Sequence, residues 1–353
     1  MSAFLRGIGT VLGLELQQRV RTRAWYILLG VFFVVVGFVT LLLTVALGAF
    51  GADTAGAGIL STIIYFVLLL GTLVTPALSG NAINGDRAEG TLATTQVTQI
   101  GTWQLVLGKF LAAWIGALAF LAVSLPFIAL CTVLGGVRVD TALVSLLVLI
   151  FELGVVAAVG VGLSGLLARP LFSIVVTYLV VAALSIGTLI VFTLAGIATQ
   201  STVTTTSRYP DYSQADPITG EFDEASCSEW ETTTYPTPRF DPYWGVLAAN
   251  PYVLLADATP THFDANGNPD DLFGFVKTGI RQAQIPPELE QTYDGCSNEF
   301  TDFDTPEEII AKTVPGWFVG ALIHLVLAGG LLTAGWSATR TPAKRLAKGS
   351  RVA

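Results

Sequence analysis

The chain has 353 residues, 52% hydrophobic and only 12% charged, with a mean hydropathy of +0.66 and a formal net charge of −8. Soluble domains carry about a quarter charged residues, so this composition excludes an ordinary soluble domain and implies an integral membrane protein. Twenty of the 26 acidic residues, but five of the 18 basic ones, lie between residues 200 and 314. One acidic, water-exposed region is therefore set in a membrane protein with basic edges, and no nucleic-acid partner is expected.

In residues 3–23, Phe4, Ile8, Leu12, Leu16 and Val20 recur every four positions, and Glu15, Arg19, Arg21 and Arg23 crowd the second half. This pattern predicts an amphipathic helix lying in the membrane interface, with its arginines on anionic lipid headgroups. Glu15 and Arg19 have the i,i+4 order of a supporting pair. Gly7, Gly9 and Gly13 weaken the helix, and a cleaved signal peptide is not expected.

A helix needs about 20 apolar residues to cross the hydrocarbon core. Six stretches qualify, at residues 25–50, 59–78, 105–134, 141–168, 171–198 and 316–338. Spans 4 and 5 are separated only by Arg169-Pro170, a tight turn. The chain divides into an interfacial helix (1–24), spans 1 to 5 (25–199) with a loop at 79–104, an outer domain (200–314), span 6 (315–338) and a basic tail (339–353). With the N-terminus inside, twelve Lys and Arg near short loops fall on the inner face, against Arg138 alone on the outer face. That bias places both termini in the cytoplasm. The fold class expected is all-α: six transmembrane helices, an interfacial helix and a large extracytoplasmic domain of mixed or helical content.

Cys131 sits in an apolar run and is expected to be a core residue. Cys227 and Cys296 both fall in the outer domain, where an oxidising compartment favours their pairing. Ser201–Ser207 is expected to be a loop or edge strand, and Phe240–Leu255 to form short helices against the span ends. Thr305-Pro-Glu-Glu308 spells a capping box leading into span 6. Asp264–Asp271 spaces oxygens as calcium loops do, but Pro269 replaces the needed glycine and no glutamate closes the loop, so an Asx-rich turn is expected.

Two polar groups lie inside spans. Glu152 is central in span 4, where an ionisable group by default suggests function. It belongs either to a substrate path or to packing. His324 in span 6 shares a face with Gly316, Gly320 and Ala328, and Gly154, Ala158 and Gly162 form a like stripe in span 4; small residues at this spacing mark close helix packing. His324 is expected to be a packed, hydrogen-bonded group, with a place on a substrate path as its alternative.

The catalytic signals are missing: there is no His-Glu-x-x-His, Cys-x-x-Cys or Gly-x-Ser-x-Gly. Gly101…Gly108-Lys109-Phe110 has the wrong spacing for a phosphate loop, and Phe110 stands where Ser or Thr must hold magnesium. No enzyme activity, metal site or cofactor is expected in this chain.

The stretch 79–109 is a polar island between spans. Its Ser79-Gly80, Asp86-Arg87-Ala88-Glu89-Gly90-Thr91-Leu92 and Gly108-Lys109 resemble the inner loop of type-2 ATP-binding cassette exporter permeases. The basic N-terminal helix and Asn250-Pro251 before the last span are similar to that family too. The resemblance implies a half-transporter that pairs with a second permease copy and with cytoplasmic ATPase subunits, which would bind the ATP and magnesium. It implies that Asp86, Arg87, Glu89, Gly90, Thr91 and Leu92 meet the ATPase; the almost wholly apolar spans lead to an expected cargo that is amphipathic, a drug, peptide, lipid or glycolipid. The alternative is a module that transmits force through its outer domain to an extracytoplasmic partner, with no cargo crossing between spans. A weaker alternative is a plain scaffold.

Overall fold

The computed structural model describes residues 3–48, 55–92, 100–134, 136–210, 227–297 and 304–340. It is mostly helical, and six helices are long and apolar enough to cross a membrane. In chain order these are α2 (Arg23–Gly48), α3 (Ala55–Ser79), α5 (Thr102–Leu134), α6 (Val139–Leu166), the helix formed by α7 (Pro170–Ala182) and α8 (Thr188–Ala198), and α13 (Trp317–Thr339). Between α7 and α8 the fifth span makes a π-helical turn at Ala183–Gly187. The first helix, α1 (Ala3–Val20), precedes α2 by a two-residue break, and α4 (Asn84–Ala88) lies in the loop between α3 and α5.

The fourth span is the hub. It is the most buried of the six, and α3, α5, α7 and α13 all pack on it. Its small residues let neighbours approach as the sequence stripe predicts. A Cβ on Gly162 would stand 2.5 Å from the Leu331 backbone of α13, and one on Gly335 of α13 would stand 2.5 Å from the Gly162 carbonyl. A second apolar cluster gathers α2, α3 and α5 around Leu60, Ile63, Ile64, Leu68 and Phe120, with Trp25 and Phe32 edge-on to the Phe120 ring. Span 1 and span 5 turn most of their side chains outward, among them Val34 and Leu179. That apolar exterior is what a bilayer would cover.

The region 200–294 departs from an all-α chain. It contains a three-stranded sheet in the order β2-β1-β3, formed by β1 (Gln200–Arg208), β2 (Glu231–Pro238) and β3 (Glu290–Asp294). β1 pairs antiparallel with β2 and parallel with β3. The threonine-rich segment is thus a central strand rather than a loop or an edge, because β3 returns from 80 residues downstream to pair on its free side. β-branched threonines suit a pleated ladder. Short helices α9 (Trp244–Ala248), α10 (Pro251–Ala258), α11 (Leu272–Gln282) and α12 (Pro306–Lys312) link this sheet to the spans. Phe240–Leu255 forms short helices as expected, with the Phe240 ring tilted against Phe192 of α8. The capping box at Thr305 has both reciprocal bonds. Asp264 accepts from Asn266 and Asn268 amides and Gly267 has φ +79°, which is the Asx turn predicted in place of a calcium loop.

Cys131 is buried, and Cys227 and Cys296 are bonded across a sequence separation of 69. A loop of that size implies about 4 kcal/mol of stabilisation in the chain-entropy account. Reduction, or Cys227→Ser, is expected to make the region around the sheet cleavable by limited proteolysis under conditions where the oxidised protein resists.

Candidate functional site

Two ends of the bundle carry polar networks. At the first, the short helix α4 lies across the C-terminal end of the fourth span. A terminal helical turn has unpaired carbonyls, and here α4 supplies donors to them. Arg87 Nη2 donates to Gly165 O at 3.3 Å, and Asn84 Nδ2 to Leu167 O at 3.4 Å. Ser164 Oγ accepts from the Ile83 and Asn84 amides (2.8 and 3.1 Å) and donates to Asn84 Oδ1 (3.0 Å). Ser79, Ile83 and Asn84 are fully buried.

The first helix, α1, fastens to the same place. Lys109, 3% exposed, reaches from α5 to Glu15 Oε1 of α1 at 2.5 Å and to Asp86 Oδ2 of α4 at 2.7 Å. One buried cation thus joins three elements. Gln104 Nε2 donates to the carbonyls of Ala3 and Phe4. α1 meets α5 closely because Gly108 and Gly7 leave room: a Cβ on Gly108 would stand 2.7 Å from Val11, and one on Gly7 would stand 2.6 Å from Gln104.

This geometry revises several sequence expectations. The Glu15–Arg19 pair is not made: Glu15 turns to Lys109, and Arg19 Nη2 donates to Leu78 O at 2.9 Å. The buried face of α1 runs through Ile8 and Val11, whereas Phe4 and Val20 of the anticipated stripe are exposed. Arg21 and Arg23 are exposed. Asp86 and Arg87 hold the loop to the bundle, through Lys109 and the Gly165 carbonyl. Glu89, Gly90 and Thr91 form the exposed tip, with Gly90 at φ +77°, a left-handed turn that favours glycine. Leu92 is buried beneath them. The remainder of the loop, residues 93–99, and the basic tail from 341 onward lie outside the described residues.

Inside the bundle, Glu152 and His324 meet. His324 Nδ1 is 2.9 Å from Glu152 Oε1, and His324 Nε2 is 2.9 Å from Ala249 O. Both side chains are 1% exposed. A carbonyl only accepts, so Nε2 carries a hydrogen. One further proton must then sit between Nδ1 and the carboxylate, because two facing lone pairs would repel. The pair is neutral overall whichever group holds that proton, which is the affordable state for ionisable groups at this depth.

The second polar network joins the bundle to the sheet-bearing region. Asn250 caps α10 through the Tyr252 amide, and its Nδ2 donates to Ser185 O (2.6 Å) and Thr188 Oγ1 (2.9 Å) in the fifth span. Ser185 belongs to the π-helical turn. Asp257 is the anchor of span 6. Its Oδ1 accepts from Arg281 Nε at 2.7 Å, and its Oδ2 from the Gly316 and Trp317 amides at 2.6 and 2.9 Å. Arg281 Nη1 also donates to Thr313 O at 2.9 Å. Gly316 has no side chain to cap α13, so a carboxylate from α10 does so, favourably placed at the positive end of the helix dipole. Sequence reading missed Asp257 and Arg281; the uncapped glycine ahead of a long apolar helix was the available signal.

Beside this network, Asp271 caps α11 by accepting from the Gly274 amide at 2.7 Å, while the Leu272 amide donates to Ser61 of α3. Burial pushes the Asp271 carboxyl from 3.8 up to about 6. The folded protein therefore binds this proton at a pH where the unfolded chain has lost it, and stability falls as pH rises through about 6. Asp271→Asn keeps a capping acceptor. It is expected to flatten the pH dependence of thermal unfolding between about pH 4 and 7 and to gain about 3 kcal/mol at pH 8, from about two and a quarter units at 1.36 kcal/mol each.

A cavity of about 650 Å3 opens between α3, the fifth span and α10–α11. Leu69, Leu73, Ile186 and Leu189 are among its apolar lining, and Tyr65, Tyr178 and Asn250 also line it. Neither Glu152 nor His324 lines it. Among the described residues no cluster of His, Cys, Asp and Glu could hold a metal ion. No family model, curated protein or solved structure matches this chain.

Proposed function

We propose that the chain is the membrane permease subunit of an ATP-driven exporter of the type-2 ATP-binding cassette class. In this reading both termini are cytoplasmic, the membrane is the bacterial cell membrane, and the sheet-bearing region is extracytoplasmic. A second permease copy and separate ATPase subunits, which bind the ATP and magnesium, complete the machine. The observation that carries the reading is the mounting of α4. A buried lysine and the end of the fourth span hold this short helix rigidly, and its Glu89-Gly90-Thr91 tip is exposed beyond the bundle. A push on that tip passes to α1 and α5 through Lys109 and to α6 through Arg87 and Asn84. No nucleotide-binding motif exists in the chain, so the push must come from another subunit.

Cargo of amphipathic character suits the mostly apolar cavity, whose lining includes phenolic and amide residues. Affinity purification of the tagged chain from mildly solubilised membranes is expected to recover an ATP-hydrolysing subunit and a second permease. Recovery of the chain with neither contradicts the proposal.

One observation favours the alternative in which force, rather than cargo, crosses the membrane. Glu152 and His324 are sealed in the bundle, His324 is bonded to Ala249 O, and Asp257 locks α10 to the start of span 6. Spans and outer region then move together. Ile186→Trp, which narrows the cavity, separates the two: it blocks an exporter and leaves a force transmitter working.

A further inference from the structure

The cavity between α3 and the fifth span has a direction as well as a volume. On α3 it is lined by Tyr65, Leu69, Thr72 and Leu73. On the fifth span it is lined by Tyr178, Val181, Ala182, Ser185, Ile186 and Leu189. Each set has the three- and four-residue spacing of a single helix face, and at 1.5 Å per residue the two sets run for about 12 and 16 Å. A hydrogen bond crosses each end: the Tyr178 hydroxyl donates to Leu73 O at 2.7 Å, and the Tyr65 hydroxyl to Tyr252 O at 3.2 Å. The cavity is thus a trough parallel to the spans. Leu69, Leu73, Ile186 and Leu189 are 43, 49, 61 and 49% exposed, so it lies open on the side of the bundle. Its polar atoms are already committed. The Thr72 hydroxyl donates to Leu69 O and meets the Tyr252 hydroxyl, and Asn250 Nδ2 is shared between Ser185 O and Thr188 Oγ1. The Ser185 hydroxyl is buried, and no charged residue is among the lining residues described. Ordered water needs several polar partners, and a peptide brings backbone groups that must be bonded. This wall serves neither.

We propose that the trough holds one acyl chain of a membrane lipid, taken in sideways from the bilayer with its headgroup left outside. The hydrocarbon core is about 30 Å thick, so one leaflet is about 15 Å deep, and the trough has that length. A chain lying in it keeps the direction it has in the leaflet. It gains dispersion contacts on three sides, from α3, the fifth span and Val253 and Val276 of α10 and α11, where a convex helix surface offers one. In the exporter reading this cavity receives the cargo, so the cargo narrows to a lipid; only that consequence rests on the exporter. The chain site itself needs the six spans and no ATPase, and it is tested without one.

The probes are phosphatidylcholine and phosphatidylglycerol that carry a diazirine midway along one acyl chain, placed in nanodiscs with the purified full chain. After irradiation, adducts are mapped by mass spectrometry. Labelling at Leu69, Val181 and Ile186 is expected at about ten times the level at Val34 and Leu42, which are also exposed, on span 1; tenfold corresponds to a resident chain held about 1.4 kcal/mol more tightly than a passing one. The two lipids should label alike, because the chain and not the headgroup is held. Leu69→Asn, of similar size, places an amide in one wall, and Val181→Trp fills the trough from the other. Each should bring labelling at Ile186 down to the span 1 level, and if one variant does not fold the other decides. Trough labelling no higher than that of span 1 overturns the proposal. So does a strong preference for either headgroup, or unchanged Ile186 labelling in a folded Val181→Trp protein. A photo-crosslinking residue at position 73 that joins two copies, with the trough unlabelled by lipid, gives the trough to a second copy and overturns it as well. None of these outcomes depends on whether ATPase subunits co-purify.

Discussion

Lys109→Met is expected to uncouple the loop from the bundle while leaving the six spans assembled. The lysine ammonium is the sole cation within ion-pair distance of Asp86 among the described residues, and it also holds Glu15. Methionine keeps most of the stem volume but leaves two carboxylates facing each other. Removing one partner of a buried pair costs about 3–5 kcal/mol; Glu15 and Asp86 are 21% and 30% exposed, which brings the expected loss toward the low end. Because α4 has only five residues, it depends on tertiary anchors to stay folded, and Lys109 is the charged one among them. Hydrogen exchange at residues 84–92 should rise sharply, and ATP-driven activity of the assembled complex should fall by at least about tenfold. Adding Glu15→Gln and Asp86→Asn removes the stranded charges. The triple variant should regain thermal stability without regaining activity. If Lys109→Met leaves both exchange and activity unchanged, the three-way bridge has no part in transmission.

Asp257→Ala is expected to be the most destabilising single change in the region that joins sheet and spans. Three donors converge on this carboxylate, which is 3% exposed. Alanine would leave the Arg281 guanidinium buried with Thr313 as its remaining partner, and would leave the first amides of α13 without an acceptor. The loss should reach about 3–5 kcal/mol, the cost of stranding a buried charge, and should appear as a large fall in the detergent thermal midpoint. Asp257→Asn retains one oxygen and should lie between. The swap of Asp257 and Arg281 should not rescue, because an arginine cannot accept from the Gly316 and Trp317 amides. A rescued swap would show that charge alone, and not helix capping, is what Asp257 provides.

The spans were legible in the sequence because the hydrocarbon core imposes a length and a composition on each one. Predicted and observed ends agree within a few residues, and the Thr305 capping box and the Cys227–Cys296 bond appear as read. The sheet was half legible: the threonine- and serine-rich residues 201–207 allowed a loop or an edge strand, but parallel pairing with Glu290–Asp294 depends on a long return that no local pattern encodes. In the loop, the internal contacts were not legible. Asp86 and Arg87 carry charge beside a membrane, which invites a partner, yet α5 offers a lysine and α6 offers free carbonyls at the same place. Charge in a sequence shows that a partner is needed; only the fold shows whether that partner is internal. The same holds for Glu152, whose partner, His324, stands 172 residues away in a different helix.

The most direct test of the account is a photo-crosslinking residue placed at Glu89 or Thr91 in the living cell, on the exposed tip of the α4 loop. A covalent adduct with an ATP-hydrolysing subunit, formed from these positions and absent from Tyr235 in the sheet, is the predicted result. Positions 89 and 91 that yield no adduct, or that react with a membrane-impermeant reagent added outside the cell, would contradict it.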